Sequence, residues 1–130
     1  MNYEDALQEM HLAANLAGSQ PVHGEVPKLR YDFAAGIPEE NLLPLDRWPR
    51  LLGEYDVVFV LNCLNCWSRD VGKELIAMVL GMGKPLVVSI PKILYPTDPV
   101  NSLWSWSDFT EFEIVHDVST WHWLVYRLGC

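Results

Sequence analysis

Positive charge is scarce in this chain: nine Lys and Arg stand against seventeen Asp and Glu over 130 residues, a formal net charge of −8. No run of lysines or arginines occurs, so counterion release, the term that drives binding to a phosphate backbone, has no source. DNA or RNA is not expected as a partner. Long apolar runs are missing too. The densest, such as Leu86 to Ile90, are far too short to span a bilayer, and the N-terminal MNYEDALQEM has acidic residues where a signal peptide needs basic ones. No membrane partner is expected, and the chain reads as cytoplasmic. Cysteine is sparse as well: Cys63, Cys66 and Cys130 make an odd number, which fits reduced thiols better than a disulfide framework.

What is present is apolar. Half the residues are hydrophobic and six are tryptophan, and 130 residues suffice for one domain with its own core, spanning residues 1 to 130. Ala6, Leu7, Met10, Ala13, Ala14 and Ala17 recur at helical spacing, which predicts an amphipathic helix over Tyr3 to Ala17 that stops at Gly18. From Ser19 to Leu45 four prolines and two glycines predict loops, with a short strand near Pro21 to His23. DRWPRLLG allows a short helix with Pro49 in its first turn. YDVVFVLN is a β-branched and aromatic run without alternation, the pattern of a strand buried on both faces.

Val71, Leu75, Met78, Val79 and Met82 then form a helical stripe that ends at GMGKP, and PLVVSI follows as a second buried strand. Strand, helix and strand on short links predict a parallel crossover and an α/β fold. FEIVHD reads as a later strand, and STWHWLVYRLG as a closing helix capped by Ser119. Ligands of open parallel sheets bind beyond the carboxyl ends of the strands, and LNCLNCWSRDVGKE, residues 61 to 74, lies at such an end.

That segment holds the candidates. Cys63 and Cys66 have the spacing of a redox dithiol, but Asn62 and Asn65 bring no charge to depress a thiol pKa, so the cysteines read first as small apolar residues. A zinc site would need two more ligands, and His116 with His122 lie far beyond finger spacing. No metal and no cofactor are expected. Glu74 sits at the edge of the apolar stripe near the helix start, where the dipole favours an ionised carboxylate; it is either a solvated glutamate or a nucleophile. Asp70 is expected as the helix N-cap and as a base or hydroxyl contact in the same pocket. Asp46, just before the first buried strand, is retained as a candidate, whereas Asp56 marks the start of that strand at the opposite end of the sheet. NSLWSWSDF is a core lid, a subunit contact or a stacking wall.

KELIAMVLGMGKPLVVSIP, with DVVFVLN and DVG upstream and DPVNSLWSWSD downstream, resembles the nucleoside 2-deoxyribosyltransferases over roughly residues 40 to 110. The resemblance implies a flavodoxin-like or Rossmann-like parallel sheet flanked by helices. It also implies cleavage of an N-glycosidic bond through a glycosyl-enzyme intermediate, by transfer or hydrolysis, on a nucleoside or nucleotide. Carried over by position, Glu74 matches the nucleophile, Asp70 the acidic base-binding residue with Ser68 competing for that place, and Asp46 the aspartate before the central strand. Two carboxylates suit an oxocarbenium-like transition state. Members of the family are commonly oligomers in which a neighbouring subunit completes the pocket, and the resemblance makes Ser107, Asp108 and the C-terminal residues the candidates for that role here. This chain departs from the pattern in three places. The Gly-to-Glu spacing is shorter, the interval from Glu to Gly-Lys-Pro is one residue longer, and the family's first strand with its tyrosine-bearing loop is either missing or represented by Tyr3. A non-catalytic nucleotide-binding, oligomer-forming relative, and more distantly a dithiol protein, are the alternatives.

Overall fold

The computed structural model describes residues 2–93 and 100–129. Helix α1 spans Tyr3–Gly18, and its N-terminus is capped by Asn2, whose side-chain oxygen accepts from the Asp5 N–H at 2.8 Å. Strand β1 is Arg30–Asp32, followed by the short helices α2, Glu39–Leu42, and α3, Trp48–Leu52. Strand β2 is Val57–Leu61, helix α4 is Arg69–Gly81, and strand β3 is Leu86–Pro91. Strands β4, Ile114–Asp117, and β5, Trp123–Leu128, form a closing hairpin.

The five strands lie in the order β1-β2-β3-β5-β4. The first three are mutually parallel, and β5 is antiparallel to both of its neighbours. Side-chain alternation divides the sheet between two cores. Val57, Phe59 and Leu61 of β2, Val87 of β3, and Trp123 and Val125 of β5 face Ala6, Met10, Ala14 and Ala17 of α1. Val58, Val60, Leu86, Val88, Ile90, Tyr126 and Leu128 face α3, α4 and the segment carrying Trp104 and Phe109. The result is an α/β sheet covered on both faces, which is why β2 and β3 read as unbroken apolar runs. Small residues let α1 lie close to the sheet: a Cβ on Gly18 would come within 2.2 Å of the Phe59 ring. No helix among the described residues is long and apolar enough to cross a membrane.

Three elements differ from the sequence-based expectation. The stretch expected to be loop contains β1, whose three residues pair in parallel with Val57, Val58 and Phe59; the bridge near Pro21 is only Val22 with Glu25. The expected closing helix is strand β5. Ser119 caps no helix; its hydroxyl accepts from the Val125 N–H at 3.0 Å, and Thr120 N–H donates to the Trp123 carbonyl at 2.9 Å, closing a hairpin. Trp123 and Val125 then alternate with Tyr126 and Leu128 across the two cores, so sheet packing selects the extended form of a β-branched and aromatic run. Finally, the N-cap of α4 is Ser68, and Asp70 lies inside the first turn.

Buried Arg127 belongs to the same strand. Its guanidinium donates to the carbonyls of Ala17, Gln20 and Pro21 at 3.0, 2.6 and 3.4 Å. A cation thereby satisfies the carbonyl end of α1, where the helix dipole is negative.

Candidate functional site

The carboxyl end of β2 is where the chain does something local propensity does not explain. Asn62 follows the strand directly and takes a left-handed backbone, φ 55, a conformation asparagine tolerates better than most residues but still at some strain. Its N–H donates to the Ser89 hydroxyl at 3.0 Å and to the Ser89 carbonyl at 3.3 Å. Its Nδ2 donates to the Tyr3 hydroxyl at 3.2 Å. The N-terminus of α1 is therefore tied to the end of the central strand, and Tyr3 stands beside the strand-end loop. Asn62 is 9% exposed, and its side-chain carbonyl oxygen is buried with no partner among the described residues. Ser89, also buried, donates its hydroxyl to Met10 Sδ at 2.9 Å.

The cysteines come next. Cys63 is buried with its sulfur near the carbonyls of Leu61 and Ala34, 3.2 and 3.3 Å away. Burial above all, with the neighbouring Cys66 thiol adding to it against a lowering backbone hydrogen bond at Gly36, pushes the Cys63 thiol up to about 12. Neither Cys63 nor Cys66 is in a disulfide among the described residues. A group protonated throughout the neutral range has no thiolate to attack with, so the geometry disfavours dithiol chemistry. Among the described residues no group of three or more His, Cys, Asp or Glu could hold a metal ion.

Helix α4 starts at a composite cap. Ser68 N–H donates to the Glu39 carboxylate at 2.7 Å, so α2 supplies the anion that the helix start favours. Asp70 and Glu74 lie one turn apart on α4 and are both exposed, whereas Leu75 next to them is fully buried. Glu74 thus points to solvent, and the inward-facing place belongs to a leucine.

Asp108 is engaged elsewhere. It accepts from Ser105 N–H at 2.9 Å in a capping box over the 3-10 turn Trp106–Phe109, and it pairs with Arg69 at 3.0 Å and Lys73 at 3.9 Å. Ser107 is exposed, its hydroxyl 2.8 Å from that of Ser105. The structure therefore brings Asp108 against α4, on the row of Arg69 and Lys73 and not on that of Asp70 and Glu74. Asp46 is exposed on the 3-10 turn Leu45–Arg47. Of the Trp-rich segment, Trp104 is core, packed at a tilt against Phe109 with ring centroids 5.4 Å apart, while Trp106 is exposed.

At the other end of the sheet an open groove of about 950 Å3 is lined by Val26, Lys28, Asp56, Met82, Lys84 and Pro85 among others. None of the sequence-predicted site residues lines it. Asp56 organises that end: the N–H groups of Leu29 and Lys28 bind its carboxylate and hold its pKa below the usual range.

Set against family models, curated proteins and solved structures, the chain matches none of them.

Proposed function

We propose that the chain is a nucleoside- or nucleotide-binding domain, a variant of the nucleoside 2-deoxyribosyltransferase pattern that takes its ligand at the carboxyl end of β2 without cleaving it. One observation carries this reading. Asn62 combines a left-handed backbone with a buried carbonyl oxygen that no described residue satisfies. Each feature costs stability, roughly 1–3 kcal/mol apiece, and a fold retains such features where a ligand uses them. The solvent-facing Glu74 supports binding over chemistry, because glycosidic cleavage needs its carboxylate nucleophile in a site that excludes bulk water. In fold terms the proposal is a flavodoxin-like sheet in which β1 pairs directly with β2.

The expected result is thermal stabilisation of the wild type by a nucleoside or nucleotide with no free base released on prolonged incubation. Base release that disappears in Glu74→Gln, with the fold intact by circular dichroism, would replace this reading with the catalytic one. That second reading has its own support: Asp70 and Glu74 share one face of α4 near its N-terminus. The resemblance places a neighbouring subunit over such a site, so it requires a homo-oligomer in sedimentation, and a strictly monomeric protein would count against it.

A further inference from the structure

At the end of the sheet opposite the nucleoside site, and independently of it, we propose a second binding site: the open groove at the amino ends of β1, β2 and β3 takes a small amphipathic carboxylate, with its apolar body on Val26 and Met82 and its charge beside Lys28.

The groove is assembled where the three parallel strands begin. Residues between Val22 and Lys28 precede β1, Asp56 precedes β2, and Met82 to Pro85 link α4 to β3. Its volume of about 950 Å3 is that of small-molecule sites in general. Val22, Val26, Met82 and Pro85 supply apolar surface. Val26 is 55% exposed, and Met82 is half-buried against the core. An exposed valine beside a flexible thioether offers apolar area that a ligand removes from water, and the thioether adapts to the ligand's shape.

Charge sets the sign of the ligand. In a chain of −8, every Lys and Arg except Lys28 and Arg50 already donates to an acceptor of the chain among the described residues. Lys28 lines the groove and Arg50 does not. Lys84, also in the lining, donates to the carbonyls of Tyr55 and Gly53 at 2.6 and 3.3 Å, which leaves one of its three ammonium N–H groups. Two carboxylates line the groove as well. Asp56 is held by the N–H groups of Lys28 and Leu29 at 3.0 and 2.9 Å, and the charges of Lys84 and Lys28 act on it; Glu25 is exposed. Two ammoniums thus balance two carboxylates here, and the negative excess of the chain lies elsewhere. An anion meets less repulsion in the groove than over the rest of the surface, and Lys28 gives up no partner to take it.

The walls are fixed before a ligand arrives. Val22 and Glu25 exchange backbone hydrogen bonds of 2.7 and 3.0 Å across His23 and Gly24, and Arg127 holds the carbonyls of Gln20 and Pro21 just before them. Asp56 ties Lys28 to the start of β2, and Lys84 ties the start of β3 to the turn after α3. Binding therefore orders little chain, which favours affinity for a small ligand.

The test uses the fluorescent anion 8-anilinonaphthalene-1-sulfonate as probe, at about 0.15 M salt so that distant charges are screened, with near-UV circular dichroism confirming a native fold. The wild type should bind the probe saturably with one-to-one stoichiometry. Decanoate should displace it at a concentration about threefold or more below that needed with the neutral decanamide. Lys28→Glu should weaken probe binding by about threefold or more, and Lys28→Arg should keep it. Val26→Glu, at an exposed position, should weaken it with the melting temperature unchanged. Arg50→Glu, the same change in net charge outside the lining, should leave it within about twofold. Absence of saturable probe binding, displacement by decanamide as readily as by decanoate, or equal weakening by Arg50→Glu and Lys28→Glu would overturn the proposal. None of these outcomes bears on nucleoside binding at the carboxyl end, which is read by its own titration.

Discussion

Cys63 shows how a single burial decides between chemistries. In the unfolded chain its thiol ionises near the ordinary 9.0, but in the fold it stays protonated to about 12. Below pH 9 both states hold the proton, and stability does not depend on this group. Between pH 9 and 12 the unfolded chain loses a proton that the folded chain keeps, so stability falls as pH rises, by up to about 1.4 kcal/mol per pH unit. Tyr31 and Tyr126, also pushed up by burial, act in the same direction at higher pH. The contribution of Cys63 is therefore the difference between wild type and Cys63→Ala in urea unfolding at pH 8 and pH 10.5. The wild type should lose more stability over that interval. In the native protein at pH 8, iodoacetamide should leave Cys63 unlabelled by mass spectrometry, and rapid labelling would contradict its protonated, enclosed state. Composition alone favoured reduced cysteines that pack, but not the depth of burial, which depends on carbonyls of Phe33 and Ala34 about thirty residues away. Asn62 was less legible still, since a left-handed backbone at a strand end has no local signature beyond the tolerance of asparagine for it.

Among the elements, α4 separates two kinds of acidic residue at a helix start. Glu39 binds the Ser68 N–H, while Asp70 is exposed with the dipole as its main reward. Glu39→Ala should destabilise by about 1 kcal/mol and Asp70→Ala by about 0.5 kcal/mol or less in urea unfolding. The reverse order would restore Asp70 as the cap. Gly72 tests the other side of the helix. A Cβ there would lie 2.7 Å from the Trp104 ring and 3.3 Å from Leu64, so Gly72→Ala forces a packed indole to move and should cost about 1–3 kcal/mol despite better helix propensity. A stabilised variant would show that the indole gives way freely. Gly72 thus has a packing reason of its own. Elements with long, strong patterns were readable: α1, β2, α4 and β3 lie where apolar spacing and the Gly-Pro stop place them. Strand β1 was not, because three residues between prolines carry no period and are extended only by pairing with β2. Strand β5 was misread because its run is apolar on both faces, and nothing local distinguishes a doubly buried strand from a short buried helix.

At the scale of the whole molecule, charge limits which ligands the proposed site at the carboxyl end would tolerate. The chain is at −8, and no Lys or Arg occurs between Ile93 and Tyr126. The basic residues near the start of α4 and the end of β3 are already engaged: Arg69 with Asp108, Lys73 with Glu111 at 2.8 Å, and Lys92 Nζ with the Thr120 carbonyl at 2.6 Å. A 5′-phosphate arriving here finds no uncommitted cation among the described residues and meets Asp70, Glu74 and the acidic first turn of α1. The phosphate should therefore contribute no affinity. A nucleoside monophosphate should bind no more tightly than its nucleoside at low ionic strength. Raising the salt from about 0.01 to 0.15 M shortens the screening length from about 30 to 8 Å, so binding of the monophosphate should strengthen while that of the neutral nucleoside stays level. The opposite trend, a phosphate-dependent gain that salt weakens, would mean that Arg69 or Lys73 leaves its carboxylate to take the ligand. Replacing Asp108 by Asn should then increase that gain by freeing Arg69, whereas in the geometry seen here it should loosen the Trp104 segment without creating an affinity for phosphate.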